Sequence, residues 1–251
     1  MRTFLFGLLS LLVAAPVLAD EPGTPDPPLD NQKLTVHTLV REDIFAGWRS
    51  KNMERFERGE KNIELLLEQR PKFKADLLAW KGGAKLYRAV LAYEEGNKEQ
   101  FQKLYDEAKS LLDEAAALGK GNAGVAAVVG GSYLTFGDRL PEELREHAWQ
   151  TSYDNYQTLW KYQGKIVEKL PTHIKGELLA GLVQSAHRTG RDAEYQQYLE
   201  KIIEVLPDTG YSRVALQWKE NPESAKTSNI SCKSCHADGR LEARVAALEG
   251  K

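Results

Sequence analysis

The stretch Gly176–Pro207, GELLAGLVQSAHRTGRDAEYQQYLEKIIEVLP, decides the fold class. Leu178, Leu179, Leu182, Val183 and Ala186 fall on one helical face, and Gly190 breaks the pattern. Asp192 is placed to cap a second helix, whose stripe is Tyr195, Tyr198, Leu199, Ile202, Ile203 and Leu206, closed by Pro207. Two amphipathic helices joined by so short a turn fold back antiparallel and need a neighbour to cover what they leave exposed.

Working outward, the same grammar recurs. Upstream, Pro141-Glu142-Glu143 opens a long helix carrying Trp149, Tyr153, Tyr156, Trp160 and Ile166, expected to run to Pro171, with Thr172 capping the next. Ala123–Phe136 is small and apolar, suited to close packing between neighbours. Asn97, with Gln100 at the capping-box position, starts a helix with the stripe Phe101, Leu104, Tyr105, Ala108, Leu111, Leu112 and Ala115. Phe73 to Glu95 reads as helical, with Gly82-Gly83 marking a kink or a close approach. Asn62 to Gln69 is leucine-rich and stops before Pro71, and Ile44 to Glu57 has a mixed pattern. No alternating strand of useful length and no Asn-Gly hairpin signal occurs. The expected fold is all-α, a stack of antiparallel helix hairpins over residues 34–220.

Residues 176–207 resemble a tetratricopeptide repeat. Leu179, Leu182, Leu199 and Pro207 fall on that family's large apolar and proline positions, whereas Val183 and Tyr195 stand where it has smaller residues. The turn glycines Gly96, Gly137 and Gly190 recur at irregular intervals. The resemblance implies a tetratricopeptide-like α-solenoid with a groove that docks a protein partner.

The two ends differ from this body. Met1-Arg2-Thr3, an apolar run from Phe4 to Val17 and small residues up to Ala19 read as a secretory signal peptide, with Asp20 first in the mature chain. The expected location is periplasmic or secreted, with no membrane span after cleavage. Residues 20–33 are acidic and Pro-rich and are expected to form a flexible linker. After Asp208, Tyr211 to Lys219 reads as a short helix stopped by Asn221-Pro222; Glu223 to Asn229 reads as a polar loop. Leu241, Val245 and Leu248 suit a final two-turn helix.

Both cysteines lie in this last region, in Cys232-Lys233-Ser234-Cys235-His236. Cys-x-x-Cys-His is the pattern of covalent c-type haem attachment. Two thiols at that spacing match the two vinyl groups on one porphyrin edge, and the adjacent imidazole reaches the iron as an axial ligand. Cys232 to Asp238 resembles the last-helix motif of the class II cytochromes c, and the resemblance implies one covalent haem c. Absence of any methionine after Met53 excludes the small cytochromes whose methionine ligand follows the motif. Export and this motif support each other, since bacterial haem attachment takes place outside the cytoplasm. Candidates for a sixth iron ligand are His37, Met53, His147, His173 and His187, or none. The expected activity is electron transfer to a protein redox partner. Alternatives are a scaffold in which Cys232 and Cys235 form a redox, metal or structural site, and a haem sensor or peroxidase-like protein with an open iron position.

Elsewhere the residues point to ordinary surfaces. A net charge of -2 at pH 7 and a pI of about 6.3 offer no nucleic-acid or polybasic membrane surface. No phosphate-binding loop, dinucleotide fingerprint, nucleophile elbow or zincin motif is present. Trp149, Tyr153, Tyr156 and Trp160 read as core-facing, and Glu94-Glu95 and Glu142-Glu143 as solvated helix ends.

Overall fold

The computed structural model describes residues 26–227 and 239–250. Among them the regular structure is entirely helical. The helices are α1 (Val36–Ser50), α2 (Met53–Gln69), α3 (Lys74–Glu94), α4 (Lys98–Leu118), α5 (Ala123–Phe136), α6 (Glu142–Gln163), α7 (Thr172–Arg188), α8 (Asp192–Val205), α9 (Gly210–Glu220), the single turn α10 (Ser224–Thr227), and α11 (Arg240–Glu249). Consecutive helices pair: α1 with α2, α3 with α4, α5 with α6, and α7 with α8, to which α9 is added. The first helix of each pair packs on the first helix of the next, so α1, α3, α5 and α7 make a continuous layer. The molecule is a stack of helix hairpins, as the periodicity requires.

Local chemistry sets the boundaries. Lys51 adopts a left-handed conformation and closes α1 on the carbonyls of Ala46 and Gly47; Asn52 then caps α2 by accepting from Arg55 N. Asn97 caps α4 through Gln100 N at 3.1 Å, and Thr209 with Ser212 forms a capping box for α9. α3 runs unbroken through Gly82-Gly83. It admits α4 and α5, because a Cβ on Gly82 would fall 2.7 Å from Leu112 Cγ and one on Gly83 would fall 2.5 Å from Ser132 Oγ.

Several expectations need correction. α6 ends at Gln163, and Gly164–Lys169 continues as a tighter 3-10 turn, so Ile166 lies beyond the α-helix and is exposed. Thr172 and Asp192 are the first helical residues of α7 and α8, following Pro171 and Arg191; Asp192 acts there as a favourable first-turn charge. Part of the polar stretch from Glu223 is helical, at Ser224–Thr227. The segment read as a flexible linker is held down over its final residues. Arg70 donates to the carbonyls of Leu29, Asn31 and Leu34, and Pro27 and Leu34 are buried.

Two hydrophobic clusters run through the stack. One lies among α1 to α4, the other among α6 to α9. α5 serves both, giving Val125, Val129 and Tyr133 to the first and Ala126 and Leu134 to the second. Leu241, Val245 and Leu248 of α11 pack onto the first cluster, so the C-terminal helix returns to the beginning of the body.

Candidate functional site

A cavity of about 320 Å³ opens where the inner layer meets α6. One face of α1 supplies His37, Arg41, Phe45 and Trp48, at successive turns of the helix. Opposite them, α5 presents mainly small residues, among them Gly124, Ala127 and Gly131, which leave room for a groove. Trp80 comes from α3, Tyr156 and Leu159 from α6, and Ile174 and Leu178 from α7. From His37 to Trp48 the groove follows α1 for about 16 Å at the α-helical rise.

Its two ends differ chemically. At the first, Trp80 Nε1 donates to His37 Nδ1 at 2.8 Å, and His37 Nε2 lies 2.9 Å from Asp76 Oδ1. Indole N–H only donates, so Nδ1 carries the lone pair and Nε2–H points to the carboxylate. Asn122 donates to the same Asp76 oxygen at 3.1 Å while its own Oδ1 caps α5 at Gly124 N. The chain thus ties α1, α3 and the start of α5 together. Burial pushes the Asp76 pKa up, but the hydrogen bonds from His37 and Asn122 outweigh it, leaving it below the ordinary carboxylate value. Gly124 is required here: a Cβ would fall 2.7 Å from His37 Nε2.

At the other end, Trp48 Nε1 and Ser132 Oγ are buried with no hydrogen-bond partner among the described residues. Such atoms are costly unless something else satisfies them. Trp48 stands edge-on to Phe136 with ring centroids 5.0 Å apart.

Cys232, Cys235 and His236 lie outside the described residues, as does the signal-like leader. The chain on both sides of the motif is described. On the upstream side the Ala225 carbonyl accepts from Gln184 Nε2 at 2.9 Å, and the Lys226 carbonyl accepts from Arg188 Nη2 at 2.9 Å, both from the end of α7. Arg188 is itself anchored by Asp138 at 2.6 Å. On the downstream side, Glu42 of α1 accepts from Gly239 N at 2.6 Å through Oε1 and from Leu241 N at 2.8 Å through Oε2. A buried carboxylate from one end of the chain therefore caps the helix at the other.

The possible sixth ligands are scattered. His37 lines the groove, but both its ring nitrogens are engaged. Met53 packs on the first core cluster, and His147 is exposed, edge-on to Tyr133. His173, in the first turn of α7, has its pKa lowered by burial and then by the charges of Arg240 and Arg41. His187, in the last turn of α7, is tilted against Tyr195; burial, then Lys226, lowers its pKa. His173 and His187 therefore stand near the downstream and upstream flanks of the motif respectively.

Glu42 escaped the sequence reading. The one available signal was an acidic pair, Glu42-Asp43, set between Leu39-Val40 and Ile44-Phe45 on a helix that must bury most of its surface. Its partner Asp43 is buried and held by Arg55 and Arg58 at 3.0 and 2.7 Å. Among the described residues, no helix is long and apolar enough to cross a membrane, and no group of acidic, histidine and cysteine side chains is arranged to hold a metal ion. No known protein family, curated protein or solved structure matches the chain.

Proposed function

We propose that the chain is an exported, periplasmic c-type cytochrome with one haem c, held by thioether bonds to Cys232 and Cys235 with His236 as axial ligand. The observation that carries this reading is Cys232-Lys233-Ser234-Cys235-His236, which places two thiols and an imidazole at the spacing this attachment needs. The signal-like leader agrees with it. The donor set, two thiols and an imidazole, fits the group. Haem iron, when bound, supplies one-electron exchange, and the helical body contributes docking surface, axial ligation and control of burial. The partner is a protein redox partner that docks on the solenoid layer.

The test is a pyridine haemochrome spectrum of the mature protein, produced in a periplasm with a cytochrome c maturation system. One c-type haem per chain, retained on acid-acetone extraction and lost in Cys232→Ala/Cys235→Ala, is the expected result. A colourless protein would sink the reading.

A second reading is favoured by His37, whose nitrogens are both committed to Trp80 and Asp76. The histidine that lines the groove thus has no lone pair left for iron, as in a haem sensor or peroxidase-like protein with an open position. A high-spin ferric spectrum that shifts with cyanide supports it, and a low-spin spectrum supports electron transfer.

A further inference from the structure

We propose that the cavity between α1, α5, α6 and α7 binds a small uncharged aromatic molecule, two fused rings bearing a carbonyl oxygen. Its walls belong to the helical body alone, and binding there needs nothing from the Cys-x-x-Cys-His segment.

Size sets the first limit. An apolar cavity of ~150 Å³ holds one benzene ring. At about 320 Å³ this one takes two. The wall sets the second. Phe45, Trp48 and Trp80 line the cavity and pack on one another, with ring centroids 4.7 Å apart for Phe45 and Trp48 and 6.3 Å apart for Trp48 and Trp80. A ring entering beside such a cluster adds offset or edge-on contacts to the area it buries, a gain an aliphatic occupant forgoes.

Polarity sets the third. Trp48 Nε1 and Ser132 Oγ belong to lining residues and are buried with no hydrogen-bond partner among the described residues; Ser132 is 1% exposed. An indole N–H only donates and a hydroxyl can donate, so the complement is an acceptor. Charge decides which acceptor. Arg41 and Glu177 bring opposite charges to the lining, and His37, whose Nδ1 keeps its lone pair toward Trp80 Nε1, adds none. A carboxylate buried among them would have no net positive charge to offset its desolvation, and a neutral carbonyl carries no such cost.

Coumarin is the probe: two fused rings, one carbonyl, no charge. Calorimetry and saturation-transfer NMR on the mature full-length protein should give one site per chain with Kd below about 1 mM. Trp48→Phe keeps the ring and removes the N–H, and Ser132→Ala removes the hydroxyl; each is expected to raise Kd about fivefold, the weight of one hydrogen bond. Ala127 is exposed in the cavity wall, so Ala127→Trp fills the space without displacing packed core and should abolish binding. 2-Naphthoate, of the same ring size but anionic, is expected to bind about tenfold more weakly. Leu118→Trp, at an exposed site on α4, is the control with wild-type binding. No binding to the wild type, or binding unchanged in Ala127→Trp with native far-ultraviolet dichroism, would overturn the proposal. Insensitivity to both Trp48→Phe and Ser132→Ala would overturn the carbonyl contact, and tighter binding of 2-naphthoate would overturn the choice of an uncharged ligand. Haem content of the same samples tests the cytochrome reading separately.

Discussion

At the residue scale, several polar side chains inside this helical stack are matched to specific neighbours, and this makes their contributions testable by pH. Asp76 is the clearest case. Its pKa is lowered in the folded protein, so its stabilisation is present above the unfolded value of about 3.9 and is lost as pH falls through the folded value. Asp76→Asn is expected to lower stability by about 1 kcal/mol at neutral pH, and the gap to wild type should close below about pH 4. Urea melts at a series of pH values measure this. Tyr195 gives the opposite limb. Its hydroxyl donates to the Trp218 carbonyl at 2.7 Å, and burial, then Glu223, pushes its pKa up to about 12. A raised folded pKa means its stabilisation is complete below the unfolded value of about 10 and fades as pH rises through 12. Tyr195→Phe should cost about 1 kcal/mol at pH 7 and flatten the alkaline limb of the stability curve.

At the element scale, glycine sets how closely the helices approach. Gly82 in the middle of α3 forfeits helix propensity, yet a Cβ there would meet Leu112 Cγ at 2.7 Å and Leu112 N at 3.1 Å. Backbone cannot step aside as a flexible side chain can. Gly82→Ala is therefore expected to destabilise by about 1–3 kcal/mol, against a propensity gain of about 1 kcal/mol. Denaturant midpoints decide it, and a stabilised variant would show that α3 and α4 have room to adjust. The caps at Asn52, Asn97 and Thr209 are local, each accepting from a backbone N–H three residues on, and Asn97 is the one the sequence reading identifies. The cap of α11 is not, because Glu42 comes from the far end of the chain.

At the scale of the whole molecule, α5 joins the two hydrophobic clusters by lending adjoining faces to each. Solenoids couple through nearest neighbours, and here the coupling element is buried on both sides. A single cooperative thermal transition is expected, with calorimetric and van 't Hoff enthalpies equal. Two resolved transitions would mean that α1 to α4 and α6 to α9 unfold separately. The ties of α10 to α7 and of α11 to α1 make residues 224–227 and 239–250 part of this body, although the C-terminal residues alone read as an appendage.

The sequence by itself determined the helical class, the pairing of neighbouring helices and the cap at Asn97, because apolar period, glycine breaks and capping residues act within one or two turns. It also contains the whole of the Cys-x-x-Cys-His pattern, which is local chemistry. Only the tertiary structure decided that Gly82-Gly83 is a close approach, that Arg70 pins the chain at Leu29 to Leu34, and that His37 is spent on Asp76 and Trp80. Each depends on residues far apart in the chain meeting through the stacking of hairpins. No local pattern encodes that distance. The groove belongs to the same class: its walls come from five helices, and no single one of them carries a signal for it.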